Sequence, residues 1–281
     1  MMDDLEKRVY KELVQELESG ELVLPTLPEV ALQVRDAVED ENITTAQLVK
    51  MLSSDTALCA RIIQIANSAS MGNNKPVDSL EQAILRMGNR ALRNIVTSVI
   101  MQQMFQATTD ATDQKLREVW AHSSNVAAIC YSLASFARMA PDQAMLAGLV
   151  HDIGALPVLK KAEDYPELTA STEVLNRLVA KLHVPIGSAI LKAWKFPEEL
   201  ITAVAEHETL ERSGTNGKAD YADLVIVANL QTRQGANDDS ASCDWSKVSS
   251  FSRLGFEPEA YEIELENESE KIAAMKNALA S

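Results

Sequence analysis

The chain has four histidines, each in a context where an imidazole could do chemistry: Trp120-Ala121-His122-Ser123, Val150-His151-Asp152-Ile153-Gly154, Leu182-His183-Val184 and Glu206-His207-Glu208. Imidazole nitrogens and carboxylate oxygens together form a donor set suited to a divalent metal. If His151-Asp152 lies within one helix, its side chains are about 100° apart around the axis, close enough to converge on one ion. Such a dipeptide also arises by chance and then serves as a buried, hydrogen-bonded pair. His122 lies one helix earlier, where an antiparallel neighbour would carry a ligand. His207 also reads as a surface histidine paired with Glu206 and Glu208, and His183, just ahead of Pro185, as a polar residue at a helix start.

The elements that must position these residues read as helices throughout. Leu5, Val9, Leu13 and Leu17 recur at spacings of four and stop at Gly20, a residue suited to a left-handed helix end. Pro28 opens a second helix, Thr44 or Thr45 can cap a third, and Asp55 a fourth that ends before Gly72-Asn73-Asn74-Lys75-Pro76. Ser79 begins the next, which Gly88 interrupts. The pattern from Asp113 to Met139 is one long helix containing His122, and Pro141-Asp142 starts another containing His151-Asp152. Helices are expected at 171 to 182, 185 to 194, 197 to 211 and 220 to 233, with Pro185 and Pro197 as starts. Residues 257 to 281, acidic and then rich in Ala and Lys, read as a solvated terminal helix. The expected fold is all-α, and the expected divisions are residues 1–21, an N-terminal bundle at 22–110, a second bundle at 111–235 and an extension at 236–281.

Composition narrows the setting. With 46% hydrophobic residues the 281-residue chain can build a sizeable core. The 26 Lys and Arg against 41 Asp and Glu, net −15, disfavour nonspecific attraction to nucleic acid or anionic lipid. A phosphate-bearing ligand would need a local cation cluster or a metal. Arg61, Arg86, Arg90 and Arg93 could face a phosphate, although on a solvated helix they are plain solubilising charge. Cys59, Cys130 and Cys243 are few, odd in number and far apart, which fits a reducing compartment; with no apolar leader and no uninterrupted apolar run of about 18 residues, a cytoplasmic location is expected.

Read in order, several short motifs resemble those of the HDOD domain. They are Leu24-Pro25-Thr26-Leu27-Pro28, Ser54-Asp55-Thr56-Ala57-Leu58, Ile65-Ala66-Asn67-Ser68-Ala69 and Ser79-Leu80-Glu81-Gln82-Ala83-Ile84 with Met87-Gly88. Trp120-Ala121-His122-Ser123, Gly148-Leu149-Val150-His151-Asp152-Ile153-Gly154, His183 with Gly187, Trp194-Lys195-Phe196-Pro197 and Glu206-His207-Glu208 continue the match. The resemblance covers about residues 22 to 233. It implies an N-terminal helical bundle followed by an HD-like bundle, related to metal-dependent phosphohydrolases and found in bacterial signalling.

In catalytic HD proteins the metal is held by a His, the His-Asp pair and a later Asp. The matching residues here are His122, His151, Asp152 and Asn229, the last a departure because a neutral amide brings no charge against the cation. In the HD-GYP branch, which cleaves cyclic dinucleotides, a His-His-Glu run supplies further ligands, where this chain has Glu206-His207-Glu208 with one imidazole become a carboxylate; His183, Glu206 and His207 are the further candidate ligands, and no Gly-Tyr-Pro follows between Thr209 and Asp220. The resemblance thus implies a regulatory module with little or no turnover, acting through a signalling protein or a small phosphorylated ligand. The alternative is a metal-dependent phosphohydrolase using Mn, Fe or Mg.

Overall fold

Helix starts in the structure follow the capping chemistry of the sequence. In the computed structural model, which describes residues 2–40, 42–68, 71, 75–105, 110–214, 217–235, 244–256 and 265–280, α1 (Met2–Ser19) ends at Gly20 with φ 74. Helix α2 (Glu29–Glu39) starts after Pro28, which sits one position earlier than expected, as the N-cap. In α3 (Thr45–Leu52), Thr44 and Gln47 bond reciprocally in a capping box, and Asp55 caps α4 (Thr56–Ala66) by accepting from the Leu58 N–H at 2.9 Å. Helix α5 (Leu80–Met101), capped by Ser79, kinks at Gly88 (φ 78), where a left-handed backbone suits glycine. The expected turn at 72–74 and Cys243 lie outside the described residues.

The second half is built on α6 (Asp110–Ala134) and α7 (Pro141–Val150). Helix α7 is apolar on every side and buried from Ala144 to Val150, as a central helix must be. It is followed by α8 (Ala155–Ala162), the single turn α9 (Pro166–Thr169), α10 (Thr172–Ala193), α11 (Glu198–Glu206), α12 (Tyr221–Gly235), α13 (Ser249–Leu254) and α14 (Ser269–Ala280), of which α11 and α12 pack on it with α5 and α6. There is no strand among the described residues, and the fold is all-α.

Three expectations are corrected by packing. The helix carrying His151-Asp152 stops at Val150, and His151–Gly154 forms a turn before α8. Gly154 accounts for the break: a Cβ there would fall 2.0 Å from the His183 carbonyl oxygen and 2.5 Å from the Gly187 amide nitrogen, so the α10 backbone fills the space. Pro185 lies inside α10 instead of starting a helix. Its ring is exposed, while Leu182, His183, Ile186 and Gly187 are buried and hold both halves of α10 in place. That burial outweighs the helix bond the proline cannot make. Lastly, α14 is not solvated. It packs on α6 and α4 with Met275, Ala278 and Leu279 buried.

Two of the basic residues are likewise not plain surface charge. Arg61 is buried and donates to the Leu279 carbonyl at 3.0 Å and to Gln102 Oε1 at 3.2 Å, and Arg86 donates to the Ala66 carbonyl at 2.9 Å and to that of Lys75. These guanidinium groups satisfy carbonyls at helix ends, where the macrodipole favours a cation. Helix α10 is long and apolar enough by length and composition to cross a membrane, but half of its apolar window is buried inside the fold, as in a core helix.

Candidate metal centre

Close backbone contacts bring the histidines together. A Cβ on Gly148 would meet Ala127 Cα at 2.7 Å, so small residues let α6 and α7 approach closely. His122 on α6 and His151 at the end of α7 consequently have their Nε2 atoms 3.3 Å apart. The Gly154 contact does the same for α8 and α10, and a Cβ on Gly187 would meet Val204 Cγ1 at 2.9 Å, drawing α11 onto α10. His183 Nε2 and His207 Nε2 are 3.1 Å apart.

Asp152 lies between the two histidine pairs. Its Oδ2 is 3.3 Å from His151 Nε2 and 3.8 Å from His122 Nε2, while its Oδ1 is 3.4 Å from His183 Nε2 and 3.5 Å from His207 Nε2. Each carboxylate oxygen thus faces one pair. Oδ1 is buried and makes no well-formed hydrogen bond among the described residues.

The second ring nitrogens orient three of these imidazoles. His151 Nδ1 lies 2.7 Å from the Gly148 carbonyl, His183 Nδ1 2.8 Å from that of Val179 and His207 Nδ1 2.8 Å from that of Val204. A carbonyl only accepts, so each Nδ1 carries the proton and each Nε2 presents a lone pair to the cluster. Lone pairs that face one another at 3.1 Å repel unless a proton or a cation lies between them. Separations of 3.1 to 3.5 Å also match those between neighbouring ligands of one ion with bonds of about 2.1 Å. The donor set therefore fits divalent metal, as two groups that share Asp152: His122, His151 and Asp152, and Asp152, His183 and His207.

Burial and mutual charge act in different directions across the cluster. Burial disfavours charge on Asp152, but the approach of His151, then of His207 and His183, holds its carboxyl well below the usual range. Burial foremost, with the charge of His151, pushes His122 down to about 4 and lowers His207 as well. Burial also opposes charge on His151, and there Asp152 prevails and raises it.

The candidate ligands named from sequence are not all in this cluster. Asn229 on α12 is buried next to His122, and its Oδ1 makes no well-formed hydrogen bond among the described residues. Glu206 turns away, 44% exposed, with its carboxylate 2.7 Å from Arg212 Nε. Its neighbour Glu208 points inward, Oε1 lying 3.7 Å from His207 Nε2 and 3.8 Å from His183 Nε2. Glu208 in turn accepts from Arg233 at 2.5 Å, which overcomes its burial and lowers its pKa. The sequence placed Glu208 in the Glu206-His207-Glu208 run but not among the candidate ligands, and it gave no signal for Arg233. Position 208 follows the last residues of α11, where a turn re-aims the chain, and helical spacing cannot say which flanking glutamate turns inward.

The cluster opens on a cavity of about 1140 Å³ lined by α6, α10, α12 and α14, with Lys115, Asn125, Asn176 and Arg233 among its polar residues and Ile272 on its wall. Arg212, itself buried, pairs with Asp220, Asp223 and Glu206 and staples the segment after His207 to α12, and Arg253 joins Asp223 to α13.

Comparison with known proteins agrees with this architecture. A structure from Shewanella amazonensis SB2B, described as that of a candidate metal-dependent phosphohydrolase, is 32% identical and superposes with a TM-score of 0.86 over 98% of this chain and 99% of that one. A structure of a candidate signal transduction protein from Marinobacter aquaeolei VT8 is 23% identical with a TM-score of 0.63, covering 96% of this chain and 61% of that one. An uncharacterised protein of Treponema pallidum (strain Nichols) is 28% identical over 224 residues, 75% of this chain, which spans 42% of that curated relative's length. The HDOD domain matches residues 24–210, and the chain belongs to that family.

Proposed function

We propose that the protein is an HDOD module with a working phosphohydrolase-type metal centre, which takes a small phosphorylated ligand in its cavity and acts in signalling. The observation that carries this reading is Asp152, set between two histidine pairs with one oxygen toward each and with Oδ1 lacking a hydrogen bond. His122, His151 and Asp152 would hold one ion, with Asn229 beside them; Asp152, His183 and His207 would hold a second, within reach of Glu208. A divalent cation there supplies Lewis acidity toward water and a phosphoryl group. Among the chain's own residues, Lys115 and Arg233 line the cavity as cations for a phosphate, and burial favours the neutral, donor form of His122 and His207.

A second reading, a ligand sensor without turnover, is favoured by Asn229, whose neutral amide leaves the His122 side one negative charge short. Metal analysis of protein purified without chelators or a metal-binding tag, combined with assays on aryl phosphomonoesters, aryl phosphodiesters and cyclic dinucleotides in Mn, Fe or Mg, separates the two. The enzyme reading expects bound metal and turnover that Asp152→Asn abolishes. Metal without turnover assigns the sensor, and a chain that takes up no metal on reconstitution overturns both.

A further inference from the structure

Two motifs take no part in the histidine site: the stretch around Leu27 and Trp194-Lys195-Phe196-Pro197. The fold brings them together. Leu27, Trp194, Lys195 and Phe196 line a second cavity, of about 90 Å³, with Arg35 from α2 and Arg93 from α5. The walls are fixed by bonds across the two halves of the molecule: Trp194 Nε1 donates to the Pro25 carbonyl at 2.8 Å, and Arg35 Nη1 donates to the Trp194 carbonyl at 3.0 Å.

The charge here runs against that of the whole. In a protein of net charge −15, this cavity gathers Arg35, Arg93 and Lys195 against the single carboxylate of Glu39. Arg35 is engaged with the Trp194 carbonyl and with Asp36. Arg93 is half-buried, and its guanidinium has no hydrogen-bond or ion-pair partner among the described residues; only its backbone carbonyl is used, by Thr97. Lys195 holds a left-handed backbone (φ 57) at the end of α10, with the Phe196 N–H reaching back to the Leu191 carbonyl at 3.0 Å. Glycine is the usual residue there, and here a lysine lines the cavity instead.

We propose that this cavity binds a compact oxyanion, a phosphate or carboxylate group, with Arg93 and Lys195 as its counter-charges and Trp194 and Phe196 as its apolar wall. A partly desolvated guanidinium without a partner gains most from a charged acceptor. The volume suits a group of a few heavy atoms, and the site differs in place from the histidine cavity.

Thermal unfolding of the full chain in EDTA, with sodium phosphate or sodium acetate compared against sodium chloride at equal ionic strength, tests the assignment. At least one oxyanion should raise Tm saturably above the chloride control. A phosphate response identifies a phosphoryl ligand and an acetate response a carboxylate. Arg93→Gln and Lys195→Gly should each weaken the apparent affinity about tenfold. Lys195→Gly also relieves the left-handed strain, so its loss of binding cannot be put down to misfolding. The proposal is overturned if the oxyanions stabilise no more than chloride, if both variants bind as the parent does, or if Arg233→Gln alone abolishes the effect, which would place the anion in the histidine cavity. Because metal is chelated throughout, the outcome is independent of the metal assays.

Discussion

At the scale of single residues, two positions decide how strongly the cluster holds metal. Asn229→Asp adds an anionic oxygen next to His122, and Mn or Fe affinity should rise at least tenfold, about 1.4 kcal/mol, in calorimetry and in metal-dependent Tm. Without metal the same change should be neutral or destabilising, because the new carboxylate is buried with no cation to face. A metal affinity left unchanged by Asn229→Asp would place position 229 outside the ligand shell. The two glutamates that flank His207 make the companion test. Glu208→Gln should weaken the second ion about tenfold, whereas Glu206→Gln should leave metal binding unchanged and cost about 1 kcal/mol or less, because its amide oxygen can still accept from Arg212 and only an exposed charge is lost. Equal effects on metal from both would contradict the inward placement of Glu208.

At the scale of elements, the site depends on backbones that touch. The turn at His151–Gly154 exists because α10 occupies the space beyond Gly154, and the same contact sets His183 3.4 Å from Asp152. Gly154→Ala puts a methyl against the His183 carbonyl and should destabilise by about 3 kcal/mol or more, a Tm fall of roughly 6–12 °C. Metal affinity should fall with it, since α10 must move and carry His183 away. Full metal affinity in Gly154→Ala would mean that the close approach does not position the ligands.

At the scale of the whole molecule, α14 returns to pack on α6 and α4, and the Leu279 carbonyl accepts from the buried Arg61. The terminal helix is part of the core and, through Ile272, part of the cavity wall. Met275→Ala should therefore cost about 2–4 kcal/mol in denaturant unfolding, where a solvated helix would lose almost nothing.

The sequence by itself determined most of the helices and the capped starts and kink of the first half, because Thr44, Asp55, Ser79 and Gly88 act on backbone groups within a few residues of themselves, whereas α8, α9 and α13 carried no separate signal. It also marked the four histidines and Asp152 by type and order. It could not resolve events set by distant neighbours: the stop after Val150, the passage of α10 through Pro185, the burial of α14 and the choice of Glu208 over Glu206. Each of these turns on what occupies the space next to a backbone, as His183 does at Gly154 and Ala127 does at Gly148. Periodicity reports which face of an element is apolar. Only the packed structure decides how near two elements come, and a cluster with nitrogen atoms 3.1 Å apart depends on that distance.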